Sequence, residues 1–178
     1  LNSGPGGIAG AFIHERFEGD FSLPRFAGWW GHDEQERFLM KKGFKAISGV
    51  DGWQVSNHPI LSGAAHLAAL KLFEEAGFQN LLKKSKQLTA YLEFILNNTD
   101  PSGTYFRILT PSDPAQRGCQ LSVFMKSQGK KVFSELSKAG VIADWREPDV
   151  IRVAPVPLYN TFEEVYRFGE IIRTALAT

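Results

Sequence analysis

Apolar residues follow two different textures along the chain. From about residue 62 they recur with helical or strand periods, whereas before residue 60 they show neither. Leu67, Leu70 and Phe73 share one helical face behind Ser62, whose hydroxyl suits an N-cap, and Gly77 supplies a C-terminal stop. Leu81, Leu82, Ser85, Leu88, Leu92, Ile95 and Leu96 predict a second helix, with Lys83, Lys84, Lys86 and Glu93 mostly on its other side. The turn-rich residues 97–103 end it. Residues 105–109 and 119–124 predict two strands that pair as neighbours, and Val132, Phe133 and Leu136 a short helix closed by Gly140. Residues 141–143 and 150–154 read as two further strands around the Glu147, Pro148, Asp149 turn. Thr161 and Glu164 have capping-box spacing, ahead of a helix whose face carries Phe162, Val165, Phe168, Ile171, Ile172 and Ala175. This order predicts a small α+β layer with helices on one face of a mainly antiparallel sheet.

The first sixty residues are loop-like by contrast, rich in glycine and holding three of the four tryptophans. Ile8 to Ile13 is a short apolar run bounded by glycines and charges, which predicts a buried strand. Trp29, Trp30, Phe38, Met40 and Phe44 have no helical period, so this region is expected to be irregular and to pack against something larger.

Composition narrows the function classes. With 178 residues, 43% hydrophobic and 22% charged, the chain can build a core and is not of the disordered class. A formal charge of +1 gives no net field toward a polyanion, which argues against a nucleic-acid or membrane-surface partner. The single Cys119 cannot build an internal disulfide framework and fits a reducing, cytoplasmic setting. No apolar run is long enough to span a bilayer, and no basic-flanked signal peptide is visible. The sequence begins with Leu1 and not Met, so a natural start is not assured.

Several motifs could carry chemistry. Gly4, Gly6 and Ala9 match the spacing of a phosphate-binding glycine loop, but the strand before it and the helix after it are missing, and a glycine-rich connector is the better reading. His32, Asp33, Glu34 and Glu36, with His14 and Glu15, match no metal-ligand template and read as solvated charged loops; no metal is expected. The Trp29, Trp30 doublet between Gly28 and Gly31 suits core packing or the gripping of a flat ligand and an anion, packing being favoured on this motif alone. Ser56 and Asn57 stand before Pro59 at the entrance to the first helix, where a turn forms and anions also bind. Arg152 lies within an apolar strand followed by Pro155 and Pro157, so a rigid element carries its planar fork. It serves either a bound carboxylate or an internal Asp or Glu, and spacing alone leaves both open.

Taken together, residues 1–14, Gly28, Trp29, Gly31 and His32, the run Ser56, Asn57, Pro59, Ile60, Leu61, residues 117–121, and residues 151–160 resemble kynureninase, in order and at compatible spacing over essentially the whole chain. The resemblance implies a fold-type I (aspartate-aminotransferase type) α/β enzyme, of which this chain is the C-terminal part. Residues 1–61 would be the tail of the large cofactor domain and residues 62–178 a linking helix and small C-terminal domain. It also implies pyridoxal 5'-phosphate as cofactor, a homodimer, and hydrolytic Cβ–Cγ cleavage of L-kynurenine or 3-hydroxy-L-kynurenine to alanine and an anthranilate, in tryptophan catabolism. Trp29 matches the tryptophan that donates to the cofactor phosphate across the dimer interface. Asn57, with Ser56 beside it, matches a position next to the phosphate and substrate ring, and Arg152 matches the arginine that holds the substrate α-carboxylate. The family's Schiff-base lysine would fall just before Leu1, so residues 1–178 alone are expected to be inactive. Another enzyme of this fold, such as a cysteine desulfurase or an aminotransferase, and a non-catalytic scaffold fragment are the alternative readings.

Overall fold

The computed structural model describes residues 6–177. The chain divides into two compact units, Leu1–Leu72 and Phe73–Thr178. The possible phosphate loop begins at Gly4, and the first resemblance segment at Leu1, so both start outside the described residues.

Up to residue 59 the described part of the first unit is loop, interrupted by two short 3-10 turns, Glu15–Phe17 and Val50–Trp53. Residues 8–13 form no strand and are mostly exposed, Phe12 at 84%, which corrects the strand expected there. An isolated strand cannot satisfy its backbone groups, and no described segment of the unit pairs with this one. The ordered part is a backbone-stitched pair of segments. His32 forms an antiparallel bridge to Ala46, Ile47 N–H donates to Gly31 O at 2.9 Å, and Asp33 N–H donates to Lys45 O at 2.8 Å. Helix α1 spans Ile60–Ala76. It begins two residues before the expected Ser62 cap, because Pro59 O already accepts the first-turn bond from Gly63 N–H at 2.8 Å. Leu67 and Leu70 stay largely exposed, and α1 buries none of its residues.

The second unit holds the core. Gly77, at φ 77°, accepts this left-handed conformation without a Cβ penalty; it ends α1 and stands as N-cap of α2 (Phe78–Thr99). There follow β1 (Phe106–Ile108), β2 (Leu121–Met125), α3 (Gly129–Lys138), β3 (Asp144–Arg146), β4 (Val150–Val153) and α4 (Phe162–Ala177). The sheet order is β1-β2-β4-β3, every pair antiparallel. The expected pairing of β1 with β2 and the helix-covered antiparallel sheet are found. One strand is displaced: β3 is Asp144, Trp145 and Arg146, not residues 141–143, and Ile142 is fully exposed. Val141 N–H instead donates to Leu136 O and closes the end of α3.

One sheet face is apolar. Leu121, Val123 and Met125 of β2, Ile151 and Val153 of β4, and Phe106 of β1 are buried with Leu88, Leu92 and Leu96 of α2, Val132 and Leu136 of α3, and Val165, Phe168 and Ile172 of α4. The period-2 burial of β2 and β4 is why the alternate positions face the other way. The capping box forms as predicted: Thr161 N–H donates to Glu164 Oε2 at 2.8 Å and Glu164 N–H donates to Thr161 Oγ1 at 3.2 Å.

Candidate functional site

In the first unit, backbone contact alone brings two of the motifs together. Gly31 N–H donates to Gln54 O at 2.8 Å, and a Cβ on Gly28 would collide with the Val55 backbone. A Cβ on Gly31 would lie 2.9 Å from Gly52 O. Only glycine allows the Trp29 segment to approach so closely the strand-like run that leads into Ser56 and Asn57.

The two tryptophans then separate in role. The Trp30 ring is covered by the Arg37 guanidinium, 4.6 Å from its centroid. Trp29 is half exposed, meets Phe38 edge-on at 5.5 Å, and its indole N–H has no partner among the described residues. The Ser56 and Asn57 side chains are likewise exposed and make no hydrogen bond among the described residues, Gln54 Nε2 donating to the Ser56 carbonyl at 3.0 Å. The arrangement therefore offers several unspent polar groups on a fixed loop pair.

The nearby charged loop has a different use. Lys45 Nζ lies 3.0 Å from Asp33 and 3.4 Å from Glu36, and the hydrogen bond from Lys45 holds the Asp33 carboxyl below its ordinary range. Among the described residues, no group of three or more His, Cys, Asp or Glu side chains could hold a metal ion.

In the second unit, Arg152 lies on the sheet face opposite the helices. Its antiparallel neighbours are Ser122 on β2 and Asp144 on β3. Asp144 Oδ2 accepts from both Nε and Nη2 of Arg152, and also from Arg146 Nε at 3.0 Å. The hydrogen bond from Arg152 holds the Asp144 carboxyl below the usual carboxylate range, and the charge of Arg146 adds to this. Of the two readings left open for Arg152, the internal aspartate is found: one edge of its fork meets Asp144, while Nη1 has no partner among the described residues. Arg107 and Arg146 share this face, so guanidinium groups outnumber the single carboxylate of Asp144 along β1, β3 and β4. A cavity of about 520 Å³ lies on the helix side instead, lined by Val141, Val153, Pro155, Glu164 and Phe168; Arg152 does not line it.

Sequence reasoning missed Asp144, which fell just past the strand expected at 141–143, and the contact between Gly28 and Val55. The only available signals were the alternation of charge around Trp145 and the spacing of Gly28 and Gly31.

Residues 81–172 match the family model described as the kynureninase C-terminal domain. The chain is 51% identical to a kynureninase of Flavobacterium psychrophilum over 177 residues, covering 99% of this chain and 42% of that protein. It is also 51% identical to a kynureninase of Myxococcus xanthus over 168 residues, covering 94% of this chain and 39% of that one. The chain thus spans less than half the length of these relatives. Among solved structures it is similar to the cystine C-S lyase C-DES in complex with cysteine persulfide, with TM-score 0.65 and 18% identity over 90% of this chain and 40% of that one. A C-DES mutant with glycine covalently linked to the PLP cofactor gives TM-score 0.63, also at 18% identity, over 87% of this chain and 40% of that one. These two likenesses show the fold, that of the C-terminal part of fold-type I enzymes.

Proposed function

This chain belongs to the kynureninase family, matched through its C-terminal domain, and on that premise we propose that it is the C-terminal part of a pyridoxal-phosphate-dependent kynureninase. The reaction is hydrolytic cleavage of the Cβ–Cγ bond of L-kynurenine or 3-hydroxy-L-kynurenine, giving alanine and anthranilate or 3-hydroxyanthranilate, a step of tryptophan catabolism in the cytoplasm. The observation that carries this reading is Arg152: a guanidinium on a rigid strand, held along one edge and open along the other, in a chain half identical to kynureninases.

The residues present fit the cofactor. A phosphate dianion calls for N–H and amide donors without competing partners, and the indole N–H of Trp29 and the side chain of Asn57 are such groups. When bound, pyridoxal phosphate supplies the electron sink for carbanion chemistry. Trp29 would donate its indole N–H to the phosphate, and Asn57, with Ser56 beside it, would border the phosphate and the substrate ring. Arg152 grips the α-carboxylate and fixes the amino acid for proton removal at Cα. Residues 1–61 belong in this reading to the large cofactor domain and 62–178 to the link and small domain. The working form is a homodimer in which Trp29 and Asn57 serve the neighbouring subunit's site; the exposed Phe12, Phe26 and Met40 support a first unit that is covered in the assembly.

Product analysis tests the activity. The full-length protein, loaded with pyridoxal phosphate and given L-kynurenine, is expected to release anthranilate and alanine in equal amounts. Persulfide formation from cysteine, or amino transfer without anthranilate, would overturn the reading.

A further inference from the structure

We propose that Asp144 is a positioning residue for substrate binding, acting through Arg152; this rests on the reading of Arg152 as the carboxylate-binding group. The two residues face each other across the β3–β4 ladder, so their backbones are fixed relative to each other by the sheet. One carboxylate oxygen of Asp144 accepts from Nε and Nη2 of Arg152, which fixes the plane of the guanidinium and consumes its side edge. The outer edge, formed by Nη1 and the second proton of Nη2, is left for a ligand and has the fork geometry that a carboxylate matches with two parallel bonds.

Arg146 holds Asp144 in turn, donating from Nε at 3.0 Å to the same oxygen. Asp144 is therefore pinned from both sides, and the Arg146, Asp144, Arg152 row keeps one surplus positive charge. A neutral row would have no electrostatic preference for an anion; this one does. Without Asp144 the long arginine side chain would have to be ordered by the substrate itself, at a cost in affinity.

The measurement is steady-state kinetics of the full-length holoenzyme with Asp144→Asn, Asp144→Glu and Arg152→Lys, using L-kynurenine as substrate and its α-carboxamide as competitive ligand. Asp144→Asn is expected to raise KM by about tenfold with kcat nearly unchanged, the loss of one charged hydrogen-bonding partner in ground-state binding. Its inhibition constant for the carboxamide should stay at the wild-type value, and Asp144→Glu should recover part of the lost affinity. Should the Asn variant fail to fold, a wild-type KM in Asp144→Glu would itself contradict the proposal, because the longer side chain cannot hold the fork in the same place. A rise in KM for Arg152→Lys but not for Asp144→Asn would overturn the positioning role and leave Arg152 as the binding group. Equal weakening toward kynurenine and carboxamide in Asp144→Asn would also overturn it, since that is the mark of a structural role. An unaffected Arg152→Lys enzyme would overturn the reading of Arg152 and the role of Asp144 with it.

Discussion

Arg117 Nη2 donates to Glu93 Oε2 at 2.7 Å with the arginine side chain only 4% exposed, which ties the segment before β2 to the flank of α2. Arg117 Nη1 also donates to Pro111 O at 3.2 Å, so one guanidinium closes the loop between β1 and β2 on both sides. With the Arg117 side chain buried and that of Glu93 20% exposed, removing the arginine is costly, since it leaves a partly covered carboxylate uncompensated.

Arg117→Met is accordingly expected to destabilise the protein by about 3 kcal/mol, with Glu93 left unpaired. The Glu93→Gln, Arg117→Met double variant should recover part of that loss. Denaturant midpoints of Arg117→Met, Glu93→Gln and the double variant check this; a double-variant loss equal to the sum of the two single losses would show that the pair is not coupled.

Asp100 gives a pH signature. Burial raises its pKa, but backbone N–H donors of Phe106 at 3.0 Å, Tyr105 at 2.7 Å and Thr104 at 2.9 Å outweigh this and hold the carboxyl below its ordinary range. A carboxylate with a depressed folded-state pKa contributes stability that is present above its unfolded pKa and lost as pH falls through the folded value. Asp100→Asn should thus reduce stability near neutrality by about 2 kcal/mol, and its deficit should shrink as pH drops below the normal aspartate range. Thermal melts across that window read the effect.

Gly169 of α4 packs directly against Ile95 of α2. A Cβ there would strike Ile95 Cγ2, and glycine costs α4 helix propensity only to permit this crossing. Gly169→Ala should destabilise by about 1–3 kcal/mol through overpacking, measurable as a lower Tm; an alanine variant more stable than wild type would show that helix propensity outweighs the clash.

Gly28 is expected to control cofactor retention from a distance. Gly28→Ala has no side-chain atom to yield, because the obstruction is the Val55 backbone, so the Trp29 segment must move away from residues 54–57. The full-length protein with Gly28→Ala or Trp29→Phe should lose pyridoxal phosphate more readily on dialysis than wild type. Equal retention in Trp29→Phe would mean that the indole only packs against Phe38.

The helices and the central strands were legible because burial imposes its period on sequence: Leu88, Leu92 and Leu96 on α2, and Leu121, Val123 and Met125 on β2. β3 was not, because an edge strand shows its period only through Trp145, with charged Asp144 and Arg146 on the open side, while the apolar residues 141–143 close a helix. Ile8 to Ile13 looked like a strand from composition, but pairing partners are not written in a local run. The site divides the same way. Arg152 was visible as a charge inside an apolar strand, whereas Asp144 depends on strand register and the Gly28 contact on distant backbone, and neither can be read from spacing.

The role of Arg152 in holding the substrate carboxylate is decided by the Arg152→Lys substitution in the full-length holoenzyme, followed by anthranilate release from L-kynurenine together with cofactor absorbance. A lysine, unable to make the paired fork contact, should lower kcat/KM by about a hundredfold or more while the cofactor spectrum stays close to wild type. Unchanged turnover would contradict that role.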